Sequence, residues 1–170
     1  MQLQDVWDYK NQLMEDLLMH KEIVNLINED MTLEQARDSE TGLAYTQIFP
    51  YEYVPKTIQD GHTYVCFDVD VTSVTNKTYL VPVLYFWVFT HISRLRLPNG
   101  RGVRPDALCS EICKAINGSM YYGLGALDLY SVKRFSPMSE YNGKLMTFYM
   151  TEFNRPYDGR KPIPANRKTG

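Results

Sequence analysis

Cysteine is scarce in this chain, and its spacing argues against two common uses of the residue. The 170 residues contain only Cys66, Cys109 and Cys113, an odd number with no CxxC pair. A structural zinc site or a disulfide framework needs more cysteines at defined spacings. We therefore predict free thiols in or near the core, kept reduced at an intracellular place of synthesis.

Long hydrophobic runs are also missing. The longest apolar run, residues 79–90, is too short to cross a bilayer as a helix. The N-terminus, MQLQDVWDYK, carries acidic residues and lacks the apolar core of a signal peptide. These absences predict a soluble protein with no membrane partner.

Catalytic signatures are absent as well. The sequence has no phosphate-binding loop, zinc spacing or dinucleotide fingerprint. Its histidines, His20, His62 and His91, lie far apart with no serine or cysteine nucleophile motif. Asp68 and Asp70 would share one face of a strand and could grip a divalent cation, but no third ligand can be nominated. We predict that the protein is not an enzyme and has no catalytic residue, metal ligand or cofactor. The alternative is a small metal-dependent nucleic-acid-processing enzyme that uses these aspartates.

Positive charge is concentrated at the end of the chain. The formal net charge is −2, yet residues 155–170 carry about +4 and the remainder about −6 by counting side chains. A dedicated nucleic-acid binder would have a basic body instead. Because this segment is rich in proline, we predict a disordered or extended C-terminal arm. Its basic residues are Arg155, Arg160, Lys161, Arg167 and Lys168.

Two amphipathic helices are predicted. Apolar residues recur at three- and four-residue steps over residues 3–28, with a break near His20. The middle helix begins near Pro105 and ends at Asn117-Gly118, which is a typical C-terminal capping signal.

Four strands are predicted over residues 62–72, 79–91, 123–135 and 144–153. The chain has thirteen tyrosines and seven phenylalanines, and most fall in strand-like segments. Such residues suit half-buried sheet faces and subunit interfaces. Pro82 lies inside the second strand, where its missing N–H predicts a bulge or a short unpaired stretch.

The order of helix, hairpin, helix and hairpin predicts an α+β fold. We expect a four-stranded sheet, antiparallel or mixed, packed by the N-terminal and middle helices. Residues 1–154 would form the single domain, and residues 155–170 the arm. The edges of such a sheet must be protected or used, and pairing with a neighbouring copy is one way to build a ring.

An aromatic segment precedes the first hairpin. Its two prolines hold residues 48–55 extended and argue against a regular central strand. Phe49, Tyr51 and Tyr53 are candidate contacts with another subunit; packing on their own domain is the alternative.

A basic loop joins the second strand to the middle helix. It contains Arg94, Arg96, Arg101 and Arg104 together with two glycines. These arginines are candidate contacts with DNA phosphates or with an acidic partner. The alternative is a solvated loop, and only non-specific attraction to DNA is expected.

Several segments together resemble one family. They are the N-terminal helix, Ile48-Phe49-Pro50-Tyr51 with Val54-Pro55, Thr63 to Val69, Tyr85 to His91, Arg104-Pro105-Asp106, Gly123-Leu124-Gly125, Arg134 to Pro137 and Phe153-Asn154-Arg155. This combination resembles the tail terminators, which are tail-completion or neck proteins of tailed bacteriophages. The basic, proline-rich arm departs from the family pattern.

The resemblance implies a structural virion protein of the tail or neck. It would form a homohexameric ring on the tail tube, end tube polymerisation and offer its other face to head-completion or connector proteins. The resemblance also implies that DNA passes through the lumen with non-specific contacts only, with Arg94, Arg96, Arg101 and Arg104 as candidate lumen contacts. It makes Phe49, Tyr51 and Tyr53 candidate contacts with the tube protein, and it implies synthesis in a host cytoplasm. The alternative within the same particle is another neck component, such as a head-completion (stopper) protein, although that class would contain little helix.

Overall fold

Three helices, three strands, a further helix and two more strands follow one another within residues 3–56, 61–73, 80–120 and 126–151, which are those the computed structural model describes. The elements are α1 (Leu3–Met19), α2 (Lys21–Ile27), α3 (Leu33–Ala36), β1 (Ile48–Phe49), β2 (Thr63–Ser73), β3 (Leu80–His91), a 3-10 turn (Ile92–Arg94), α4 (Arg104–Ile116), β4 (Ala126–Phe135) and β5 (Tyr141–Thr151). The predicted α+β class is confirmed.

The strands form one sheet in the order β1-β2-β3-β5-β4. The two predicted hairpins, β2–β3 and β4–β5, are antiparallel, and β3 joins them by pairing antiparallel with β5. The sheet has five strands rather than the predicted four. The additional strand, β1, pairs parallel with β2 through Ile48↔Val65 and Phe49↔Cys66, so the sheet is mixed. Pro50 follows directly, and its missing N–H limits β1 to two residues.

The helices cover one face of this sheet. Strand alternation directs Phe67, Phe86 and Phe148 to that face, where all three are fully buried. Phe86 lies 5.8 Å from Phe67 and 6.0 Å from Phe148 between ring centroids. The apolar stripe of the first two helices packs against this face and completes the core. Its buried members are Tyr9, Leu13, Met14, Leu17, Leu18, Ile23, Val24 and Ile27.

The predicted break in the N-terminal helical region is confirmed at His20. This residue has an extended backbone and separates α1 from α2. In α4, Pro105 occupies the first turn and Asn117 ends the helix, as predicted. None of the helices in the described ranges is long and apolar enough to cross a bilayer.

Of the two outcomes predicted at Pro82, the bulge is absent, and the unpaired stretch is present on the β5 side only. Pairing between β2 and β3 continues without interruption through Val71↔Pro82. Pairing between β3 and β5 begins only at Val83, so Pro82 precedes the stretch of β3 that is bonded on both sides. A missing N–H is tolerated at such a position. The register shift occurs instead in β4, between Leu129 and Ser131.

The three thiols differ in burial, which leads to a testable prediction. Cys66 and Cys109 are buried and Cys113 is half-buried. Burial raises the pKa of the Cys66 and Cys109 thiols to about 12, so almost no reactive thiolate exists at pH 8. We expect a thiol reagent such as DTNB to modify one cysteine per native chain quickly and all three only in denaturant. Rapid modification of all three in the native chain would contradict this burial.

Candidate functional site

The sheet face opposite the helices is divided into a covered half and an open half. The covered half is an aromatic cluster of Phe49, Tyr64, Phe89 and Tyr141, all buried. Tyr64 stacks with Phe89 at 5.3 Å, and Phe89 meets Tyr141 edge-on at 5.8 Å. These strand residues therefore have their own partners within the domain.

The segment of residues 48–55 packs on this cluster. Phe49 is only 4% exposed, and Tyr53 stacks on it with 4.0 Å between ring centroids. Tyr51 is 43% exposed. The expectation of an intersubunit contact is therefore corrected for Phe49, which belongs to the fold of its own chain. Tyr51 stays available as a contact residue, and Tyr53 is half-buried.

The open half carries four aromatic side chains, Tyr85, Trp87, Tyr130 and Tyr149, which we call the open aromatic face. Tyr85 and Trp87 are stacked at 5.8 Å, and Tyr130 meets Tyr149 edge-on at 4.6 Å. Tyr130 is 67% exposed, and the other three are half-buried. Aromatic groups on the accessible face of a sheet are typical of a docking surface.

Acidic side chains of β2 border the open aromatic face. Asp68 is directly opposite Tyr85 in the strand register, and its carboxylate accepts a 2.7 Å hydrogen bond from Lys10 of α1. Burial, and then the negative charge of Asp70, raises the pKa of the Tyr85 hydroxyl. Asp70 is therefore close enough to influence the aromatic face electrostatically. Among the described residues, no group of three or more histidine, cysteine or acidic side chains could hold a metal ion.

The outer edge of β4 is only partly covered. Residues 118 and 119 exchange backbone hydrogen bonds with Leu127, and the Asn117 side chain accepts one from the Leu129 N–H at 2.8 Å. From Tyr130 to Phe135, no described backbone group pairs with this edge. The exposed stretch is therefore a template on which another strand could add.

A groove of about 610 Å³ lies between α4 and this edge strand. Its floor contains Cys109, Cys113 and Met146, and Leu129 and Val132 of β4 line its open side. Val132 is 47% exposed. At the rim, Lys144 lies 3.4 Å from Asp106. The groove extends the accessible apolar surface of β4 onto the helical side of the sheet.

The basic loop is a tight turn that exposes two of its four arginines. Gly100 and Gly102 have positive φ angles, and an isolated bridge between Arg96 and Val103 closes the turn. Arg96 and Arg101 are exposed. Arg94 is half-buried, with its guanidinium 4.0 Å from the Glu29 carboxylate.

Arg104 is not part of the exposed loop surface, which corrects the expectation for this residue. Its side chain is 3% exposed. The guanidinium donates hydrogen bonds to the Leu26 carbonyl at 2.8 Å and the Arg94 carbonyl at 3.0 Å, and forms an ion pair with Glu29. Arg104 therefore joins the start of α4 to the end of α2.

The predicted arm residues lie outside the described residues. They are Arg155, Arg160, Lys161, Arg167 and Lys168. Sequence reasoning also missed Tyr85, Trp87, Tyr130 and Tyr149 as a surface. The available signal was the Tyr-Phe-Trp alternation of β3, which places Tyr85 and Trp87 on one face and Phe86 on the other.

The fold and these surfaces define a small α+β domain with a mixed five-stranded sheet, covered by helices on one face and accessible to partners on the other. The YomW family model matches residues 20–150. The chain belongs to the YomW family, which is phage-derived. No curated protein and no solved structure matches this chain.

Proposed function

We propose that this chain is a structural protein of the phage particle, a tail terminator that forms a homohexameric ring on the tail tube. The ring ends tube polymerisation and presents its other face to head-completion or connector proteins. Membership in a phage-derived family supports a role in phage biology. The segments that resemble tail terminators and the accessible edge of β4 support the finer assignment.

One observation carries the proposal: the two flanks of the sheet have opposite charge. The acidic flank consists of α1 and β2. Its one basic residue is Lys10, and its acidic residues are Asp5, Asp8, Glu15, Asp16, Asp68 and Asp70. The basic flank consists of β4 and β5. Its one acidic residue is Asp128, and its basic residues are Lys133, Arg134 and Lys144. Complementary flanks favour contact between one end of a subunit and the other end of the next.

Backbone geometry favours the same arrangement. Beyond the two residues of β1, the outer edge of β2 has no strand partner among the described residues, and neither has β4 from Tyr130 onward. A head-to-tail contact that uses two different surfaces produces a closed ring when the rotation per subunit closes. A symmetric dimer through β4 alone would instead bring two basic strands together, which electrostatic repulsion disfavours.

The exposed arginines Arg96 and Arg101, with Arg94 behind them, are proposed to face the lumen of the ring. Their contacts with passing DNA would be phosphate contacts without sequence readout. This role requires no catalytic group, metal or cofactor. It places the protein in the tail or neck of the virion.

Electron microscopy and light scattering of the purified protein, alone and mixed with tube protein, test the proposal. We expect rings of six subunits, either spontaneously or on contact with tube protein. Lys133→Glu with Arg134→Glu should abolish rings, because the reversed charges meet the acidic flank of the next subunit. Arg96→Glu with Arg101→Glu makes the same change in net charge and should leave the rings intact.

A second pair of substitutions sharpens this test. Asp5→Lys with Asp8→Lys on α1 should restore rings in the Lys133→Glu, Arg134→Glu chain, since the flanks become complementary again. A wild-type chain that stays monomeric even with tube protein would contradict the proposed function. Rings that tolerate reversal of the basic flank would contradict the proposed interface alone.

A further inference from the structure

We infer that the C-terminal arm, residues 155–170, docks on the open aromatic face of its own chain. The inference does not depend on ring formation, because it concerns the face of the sheet and not its edges. It gives a role to the one segment that departs from the tail-terminator pattern. It also gives a partner to the aromatic surface that the helices leave accessible.

The chemistry of the face suits a proline-rich, basic segment. Tyr85 and Trp87 stack along β3 with their ring planes 28° apart, and Tyr130 with Tyr149 continues the surface across β5 and β4. Extended proline-rich segments bind in grooves lined by such aromatic rings. Lysine and arginine side chains also bind favourably over tyrosine and tryptophan rings.

The arm carries the complementary groups. An extended conformation is favoured by three prolines, Pro156, Pro162 and Pro164. The basic pair Arg160 and Lys161 lies between the first of them and the other two. On the β2 side of the face, Asp70 supplies negative charge near Tyr85, while the Asp68 carboxylate is already paired with Lys10. Charge therefore favours the basic pair of the arm near Asp70, and the aromatic rings favour its prolines.

Chain connectivity favours an intramolecular contact. The last residue of β5, Thr151, is two positions after Tyr149, which belongs to the open aromatic face. Along β3, Trp87 is four residues after Val83, which is opposite Tyr149. At about 3.3 Å per residue, the face therefore spans roughly 13 Å. The nineteen or so residues that follow Thr151 reach up to ~60 Å when extended. A tether this short gives an effective concentration in the millimolar range, which a second copy in dilute solution cannot match.

Paramagnetic relaxation in the full chain tests this inference. Ala165→Cys carries a nitroxide spin label in a Cys113→Ser chain, since the buried Cys66 and Cys109 thiols do not react at neutral pH. Trp7→Phe leaves Trp87 as the one tryptophan, so that a single 15N indole signal reports on the face. We expect the label to reduce the intensity of that signal by at least half.

Charge reversal in the arm supplies the matched comparison. Arg160→Glu with Lys161→Glu in the labelled chain should restore most of the Trp87 signal, and 1 M NaCl should restore part of it, because salt screens the ionic component. Arg96→Glu with Arg101→Glu should leave the broadening unchanged. Arg96 and Arg101 are exposed, so loss of structure does not confuse this control.

Isotope mixing distinguishes the possible occupants. Spin-labelled chains at natural isotope abundance are mixed with 15N-labelled chains that carry no spin label. The intramolecular contact predicts no broadening in this mixture at low protein concentration. Broadening in this mixture at the same low concentration would assign the face to the arm of a second copy and overturn the inference. A Trp87 signal unaffected by the label in every sample would overturn it as well.

Discussion

Replacing Gly143 with alanine is expected to lower the free energy of unfolding by about 3 kcal/mol, the upper end of the usual cost of overpacking a rigid core. A β-carbon at this position would lie 2.6 Å from the Phe89 Cβ and 2.7 Å from the Phe89 Cα, and it would also collide with the Val88 carbonyl oxygen. Two of these atoms belong to the backbone of the central strand, so neither can move without separating β3 from β5. Urea unfolding followed by circular dichroism measures the effect.

The arrangement of the aromatic cluster explains why glycine is required there. Gly143 is opposite Phe89 on β3 and opposite Phe135 on β4. These two rings contact each other at 5.8 Å, across the strand that carries Gly143. A methyl group would occupy the space that lets the rings meet, so the cost includes lost aromatic packing as well as the backbone collision.

Gly100→Ala is the matched control for Gly143→Ala. Gly100 has a φ of +70°, and a β-carbon there would meet nothing within 4 Å. The expected loss is the conformational penalty alone, about 1 to 2 kcal/mol for a non-glycine residue in the left-handed region. Equal losses at the two positions would show that β3 and β5 separate more easily than their packing indicates.

The helices and hairpins could be predicted from sequence because their signals are local. Alternating side chains such as Val65, Phe67 and Val69 define a strand with one buried face, and the pairing of consecutive strands follows from short turns. β1 could not be predicted in this way. It has two residues, ends at a proline, and owes its existence to parallel pairing with Val65 and Cys66, which no local pattern encodes.

The accessible surfaces were harder to predict than the fold, since burial depends on the whole structure. β3 is apolar on both faces, which is typical of a strand covered on both sides. Its helical face is buried along the described strand. On the opposite face Val83 and Phe89 are buried, whereas Tyr85 and Trp87 between them are only half-buried. The aromatic composition predicted an interaction surface, but not which of the aromatic residues would form it.

Arg104 shows the same limit for a charged residue. The sequence groups it with the other arginines of the basic loop, all of which would normally be solvated. Its partner Glu29 is 75 positions away in sequence, and the other two acceptors are backbone carbonyls. A buried arginine can be recognised only when such distant partners are known.

Replacing Arg104 with alanine is expected to lower the free energy of unfolding by about 2 to 4 kcal/mol, because three charge-assisted hydrogen bonds are lost at a buried position. The carbonyls of Leu26 and Arg94 would lose their donor, and α4 would lose its connection to the end of α2.

Arg104→Lys retains the charge but cannot reproduce three diverging donors, so an intermediate loss is expected. Arg101→Ala, in the same loop but exposed, should change stability by less than about 0.5 kcal/mol. Urea unfolding of the three variants measures the series. Similar values for Arg104→Ala and Arg101→Ala would mean that the Arg104 guanidinium is solvated after all; it would then rejoin Arg96 and Arg101 as a candidate partner contact.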